Sequence, residues 1–166
     1  MDGPGPTPLE VVVAHDEIRQ LASRYAVAVD GSGNVFVTGS TDCSGSATLA
    51  YSSAGVPLWT NRYNGPGNSY DIATAVAVDG GGNVFVTGES YGSGSSSDYA
   101  TIAYSSAGVP LWTNRYNSPG LGTRSDSATA LTVAGNNDVI VTGYSLGSRG
   151  NNDYTTIKYA SVVSSP

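Results

Sequence analysis

Small and branched side chains alternate along Ala26–Val29 (AVAV), so one face of this segment is small and the other branched. Period-two alternation marks a strand, because successive side chains point to opposite faces. Val35–Thr38 (VFVT) is β-branched and aromatic, which suits a pleated surface. The DGSGN between the two tolerates positive φ, so the pair reads as a hairpin. A third strand is predicted around Ala47–Tyr51 and a fourth around Pro57–Asn64, with SSAG turning between them.

The unit recurs. AVAVDGSGNVFVTG (Ala26–Gly39) returns with one change as AVAVDGGGNVFVTG (Ala75–Gly88), and in decayed form as ALTVAGNNDVIVTG (Ala130–Gly143). Each copy leads through a variable stretch into ATLAY (Ala47–Tyr51), YATIAY (Tyr99–Tyr104) or YTTIKY (Tyr154–Tyr159). YSSAGVPLWTNRYN follows at Tyr51–Asn64 and Tyr104–Asn117, but nothing like it follows the third copy. The units lack a long helical stripe, which excludes helical repeats, and four short strands in about 50 residues suit a propeller blade. The expected fold class is therefore all-β: a β-propeller of four-stranded blades, three per chain.

The phrase AVAVDGxGNVFVTG, followed by DYATIAY and an aromatic fourth strand, resembles the bacterial SBBP-type β-propeller repeats and, more distantly, NHL repeats. The resemblance covers about Ala26–Tyr159 and is most specific in the first two units. It implies a binding or scaffold module, often exported, with no fixed active site.

The missing fourth strand has a counterpart at the other end of the chain. PLEVVVAH (Pro8–His15) stands before the first repeat in the gap-free register that PLWTNRYN keeps before the second. It reads as a displaced fourth strand that closes another chain's last blade. Three blades are too few for a ring, since known rings have about four to eight. A homodimer would supply six blades; a joint that fails to close would grow into a filament. The expected organisation is a disordered tail at 1–7, the displaced strand at 8–15, and blades at 16–64, 65–117 and 118–160. The last blade lacks its fourth strand, and 161–166 is a tail. Ile18, Leu21, Ala22 and Tyr25 follow helical spacing, with Asp16 as a cap, which predicts a short helix over 16–24. HDEIRQLASRY also resembles the first helix of the SnoaL-like polyketide-cyclase family, but nothing downstream continues that likeness.

Charge narrows the partners. The net charge of −6 argues against nucleic acid, whose binders need a basic stripe to displace counterions. No apolar run approaches the roughly 18–20 residues needed to span a bilayer as a helix. The single cysteine, Cys43, cannot form an intrachain disulfide.

Candidate chemistry is sparse. His15 is the only histidine, so a Ser-His-Asp triad would need a nucleophile beside the displaced strand. The turns at Asp30–Asn34 and Asp79–Asn83 resemble calcium loops but lack the closing acidic ligand, and hairpin chemistry explains them. Asp98 and Asp153 precede the tyrosine of the third strand, where a structural hydrogen bond accounts for them. Near-identical blades offer one environment repeatedly, which argues against a catalytic centre. No catalytic residue, metal site or cofactor is expected. Trp59 and Tyr63 share a face of the fourth strand, as do Trp112 and Tyr116. With Asn61 and Asn114 they form a candidate ligand-binding set that could stack on sugars; packing between blades is the competing use. Arg62 and Arg115 face the other way, toward a carboxylate or solvent. The loops joining the second strand to the third, and the fourth to the next first, vary most and share one end. The expected function is a non-enzymatic module for self-assembly and surface or protein binding, secreted or at the cell surface. The alternatives are a glycan-binding lectin and an accessory domain of a larger exported protein.

Overall fold

The computed structural model describes residues 21–41, 45–94, 96–118, 125–146 and 151–160. Those residues form eleven strands and no helix. The first blade contains β1 (Leu21–Val29), β2 (Val35–Thr41), β3 (Ser46–Tyr51) and β4 (Pro57–Tyr63). The second contains β5 (Asp71–Val78), β6 (Val84–Tyr91), β7 (Ser97–Tyr104) and β8 (Pro110–Tyr116). The third contains β9 (Asp126–Val133), β10 (Val139–Leu146) and β11 (Asn152–Tyr159). Strand order follows the chain in every sheet, and all pairs are antiparallel. Two sheets have four strands and one has three, an arrangement of propeller-like blades.

The repeated turns explain the meander. Asp30 Oδ1 accepts from the backbone N–H groups of Ser32 and Asn34, and its Oδ2 accepts from the Asn34 side chain. Asp79 holds Gly81 and Asn83 identically. The Asn34 amide holds the Asp30 carboxyl below its usual pKa. These carboxylates are thus engaged inside their own turns, as hairpin chemistry requires. In the third repeat Asn136 and Asp138 take over: the Asn136 amide donates to Asp138 Oδ2 at 2.8 Å, and Asn137 adopts φ 64°.

The core lies between blades. Phe36 and Ala50 of the first blade meet Ala73, Val84, Val86, Ile102 and Tyr104 of the second. Phe85, Tyr99 and Ala103 of the second meet Ala128, Val139 and Val141 of the third. The face of each blade that carries its phenylalanine and tryptophan thus receives the branched face of the next. First strands lie close together, with β1 against β5 and β5 against β9, which is why alanines alternate there.

The glycine of each VTG motif has a physical cause. A Cβ on Gly88 would lie 1.8 Å from the Ile72 carbonyl oxygen, and one on Gly143 would lie 2.1 Å from that of Ser127. Both sit beside a bulge in the first strand of the blade, between Ala73 and Ala75 and opposite the Thr142/Gly143 step. A bulge pushes backbone toward its partner strand, and only glycine leaves room.

One expectation is corrected. The helix over 16–24 is contradicted where the structure describes it, because Leu21–Ser23 and Arg24 belong to β1. Leu21 pairs with Thr41 and Ala22 with Ser40, and the register then shifts before Tyr25 pairs with Gly39. The expected displaced strand at 8–15, the start of the expected helix at 16–20 and both tails lie outside the described residues.

Candidate functional site: the blade seam and its two open faces

The most built feature of the molecule is the seam between blades. In the first seam the Trp59 indole stands between Phe36 and Tyr104, with ring centroids 6.0 and 5.8 Å away. Its N–H donates to the Ser106 carbonyl of the next blade at 3.1 Å, and the Asn61 amide donates to the Gly108 carbonyl at 2.7 Å. Gly108 has φ 78°, and a Cβ on it would lie 2.6 Å from the Trp59 ring. The turn between β7 and β8 is therefore shaped to receive an indole.

The other end of this seam is polar. Arg115 of the second blade donates to the Asp98 carboxylate at 2.8 Å and to the Ser90 carbonyl at 2.8 Å. It also donates across the seam to the Tyr63 hydroxyl at 3.1 Å. Burial opposes the guanidinium charge, but the bonds to Asp98 and Tyr63 outweigh it and raise the pKa. Beside this group, Asp71 Oδ2 accepts from the backbone N–H of Gly65 at 2.7 Å.

The second seam repeats the first with one filled space. Trp112 stands between Phe85 and Tyr159, at 6.0 and 5.4 Å. Tyr99 packs edge-on to Tyr116 at 5.6 Å and donates to the Thr155 carbonyl at 3.3 Å. Thr74 adds a bond to the Ala128 carbonyl at 2.6 Å. In the first seam Ser46 stands where Tyr99 stands in the second, and a cavity of about 10 Å³ remains, lined by Ser46, Tyr63, Asp71 and Gly88. Burial pushes the hydroxyls of Tyr99 and Tyr104 up to about 12. A groove of about 280 Å³ lies beside Trp112 and Tyr159, lined also by Asp79, Asn83, Asn137 and Val139.

Of the six candidate ligand-binding residues, Trp59, Asn61 and Tyr63 spend their hydrogen-bonding groups on the neighbouring blade, while Trp112 and Tyr116 pack within the second seam. This is the use in packing between blades, and Asn114 stays exposed. Arg115 was assigned only a carboxylate or solvent, and its bond to the neighbouring blade's Tyr63 was missed. The identical NRYN in both repeats was the available signal.

Among the described residues, no further blade covers the two ends of the array. Val76 and Val78 of the second blade pack against the first-seam core, whereas their first-blade counterparts Val27 and Val29 are 65% and 58% exposed. Tyr25 beside them is 54% exposed. At the far end, Tyr99 of the second blade is 0% exposed and its third-blade counterpart Tyr154 is 89% exposed. The threonine pair of this face keeps its form throughout: Thr87–Thr101 at 3.0 Å is buried, and Thr142–Thr156 at 2.9 Å lies open. Among the described residues, parts of the variable loops share one end, where Tyr70 meets Tyr91 at 6.5 Å and Ser96 bonds Ser125 at 2.8 Å.

Among the described residues there is no cluster of three or more His, Cys, Asp or Glu that could hold a metal. No helix among them is long and apolar enough to cross a membrane. His15 and Cys43 lie outside the described residues. A family model described as SBBP, beta-propeller repeat, matches residues 24–43, the first strand, turn and second strand of the first blade. No curated protein matches the chain.

Proposed function

We propose that this chain is a non-catalytic propeller module that works by joining copies of itself, head to tail, into a closed ring with a binding rim. The observation that carries the reading is the pair of open faces. Val27 and Val29 stand exposed on one, and Tyr154 on the other. These are the same two surfaces that meet inside the chain, where Val76 and Val78 are partly buried and Tyr99 is buried. A repeat array gains its stability from such neighbour interfaces, and an unpaired apolar face is a cost that docking removes. A second copy carries the matching face at the opposite end. Two copies bring six blades, within the range of about four to eight that close as propellers.

Non-catalytic action is supported by how the buried polar groups are used. Asp98, Arg115, Tyr63 and Ser90 bond one another across and within blades, leaving a structural network. The variable loops gathered at one end form the rim, and loops on a rigid scaffold are the usual place for recognition. Sedimentation of the intact chain tests the reading: a species of twice 16.9 kDa is expected, and Val27→Asp or Tyr154→Asp should return it to the monomer mass while leaving the sheet signature in circular dichroism unchanged.

A further inference from the structure

The third sheet has an uncovered edge. In the first two blades the third strand is flanked on both sides, β3 by β2 and β4, and β7 by β6 and β8. Among the described residues β11 pairs only with β10. Its outer N–H and C=O groups make a template for one more strand.

The pairing of the complete blades says what should face each position of that edge. Ala50 lies opposite Trp59, and Ala103 opposite Trp112. The third-repeat counterpart of those alanines is Lys158, the only lysine in the chain. The counterpart of the tryptophans, in the register that aligns Pro8 with Pro57, is Glu10. An alanine–tryptophan pair in two blades thus becomes a lysine–glutamate pair in the third, and both members of the pair have changed together. The Lys158 ammonium lies on Asp138 Oδ2 at 2.7 Å and its side chain stays 60% exposed, with further donors for a second carboxylate. Opposite charges directly across a strand pair stabilise it. Val11, Val12 and Val13 follow Glu10 and suit a strand.

Connectivity fixes whose segment it is. β4 lies in the first blade and leads directly into β5, which opens the second. In the sequence Pro8–His15 stands before β1 in the register that β4 keeps before β5, and Val27 and Val29 stand exposed on the first blade. Within one chain the third blade packs on the second through β9 against β5, β6 and β7. We infer that Pro8–His15 of a second copy adds to the outer edge of β11 as its fourth strand, with Glu10 opposite Lys158 as the charge that sets register and partner. This rests on the head-to-tail reading above, and the same docking event that pairs the open faces delivers the strand.

Carbodiimide coupling, which joins a carboxylate to an amine in contact with it, reads the pair directly because Lys158 is the only side-chain amine. The protein is used as the full chain with Asp138→Asn, which removes the intrachain competitor, in an equal mixture of nitrogen-15-labelled and unlabelled copies mixed under dissociating conditions. A Glu10–Lys158 junction peptide with one labelled and one unlabelled half is the expected product. In parallel, Lys158→Glu and Glu10→Lys should each raise the dimer dissociation constant about fivefold per joint, and the double exchange should restore it. A dimer that forms without the mixed junction peptide, and is indifferent to both exchanges, overturns the strand latch and leaves the face-to-face reading standing. A monomer with no junction, or with a junction only of single isotope type, overturns both.

Discussion

At the scale of single residues, Gly108 shows how one turn position answers to two demands. Its φ of 78° disfavours any side chain, and the Trp59 ring occupies the place of a Cβ. Gly108→Ala is expected to cost more than about 2 kcal/mol, read as a fall in the denaturation midpoint. The buried tyrosines set an alkaline limit. Burial disfavours the phenolate and pushes Tyr99 and Tyr104 up to about 12 from the ordinary tyrosine value of 10.0. The unfolded chain loses these protons first, so their contribution is full below about pH 10 and is lost as pH rises toward 12. Stability should fall across that window, and Tyr99→Phe should flatten the fall; denaturation midpoints measured at successive pH values check both. Sequence reading placed Trp59 and Tyr63 on one side of their strand and Arg62 and Arg115 on the other, as strand pairing requires. It did not find that Arg115 reaches Tyr63, because a contact across a seam depends on how one blade sits on the next, which no within-strand period encodes.

At the scale of elements, the four-stranded units were legible because three signals agreed: alternation, turn residues and repetition. The start of β1 was not. Leu21, Ala22 and Tyr25 follow a helical spacing, yet they lie in a strand whose register shifts between Ala22 and Tyr25. A bulge adds residues to one strand and breaks the period of two, so a bulged strand imitates a helical stripe. Pairing with β2 then overrides the local pattern. Between elements, one difference between the two seams is testable at a single position. Ser46→Tyr places in the first seam the residue that fills the second, above Gly88 as Tyr99 stands above Gly143. The space there is about 10 Å³, room for about one water and not for a phenol ring, so we expect the change to cost about 1–3 kcal/mol in a chemical denaturation series. A gain of stability would mean that the first seam opens to take the ring as the second does.

At the scale of the whole molecule, the repeats make three blades whose neighbours match, and that match leaves one donor face and one acceptor face over. Internal seams bury Tyr99 and partly cover Val76 and Val78, while the ends leave Val27, Val29 and Tyr154 exposed. The repeat count was readable in the sequence. The identity of the open faces was not, because it takes the packing of one blade on the next to tell which side of each strand is covered. The measurement that tests the account most directly is the mass of the intact chain in solution by sedimentation equilibrium at micromolar concentration. The account predicts a closed species of twice 16.9 kDa that does not grow further with concentration. A single stable species at 16.9 kDa, with Tyr154 and Val27 still exposed to solvent, would contradict it.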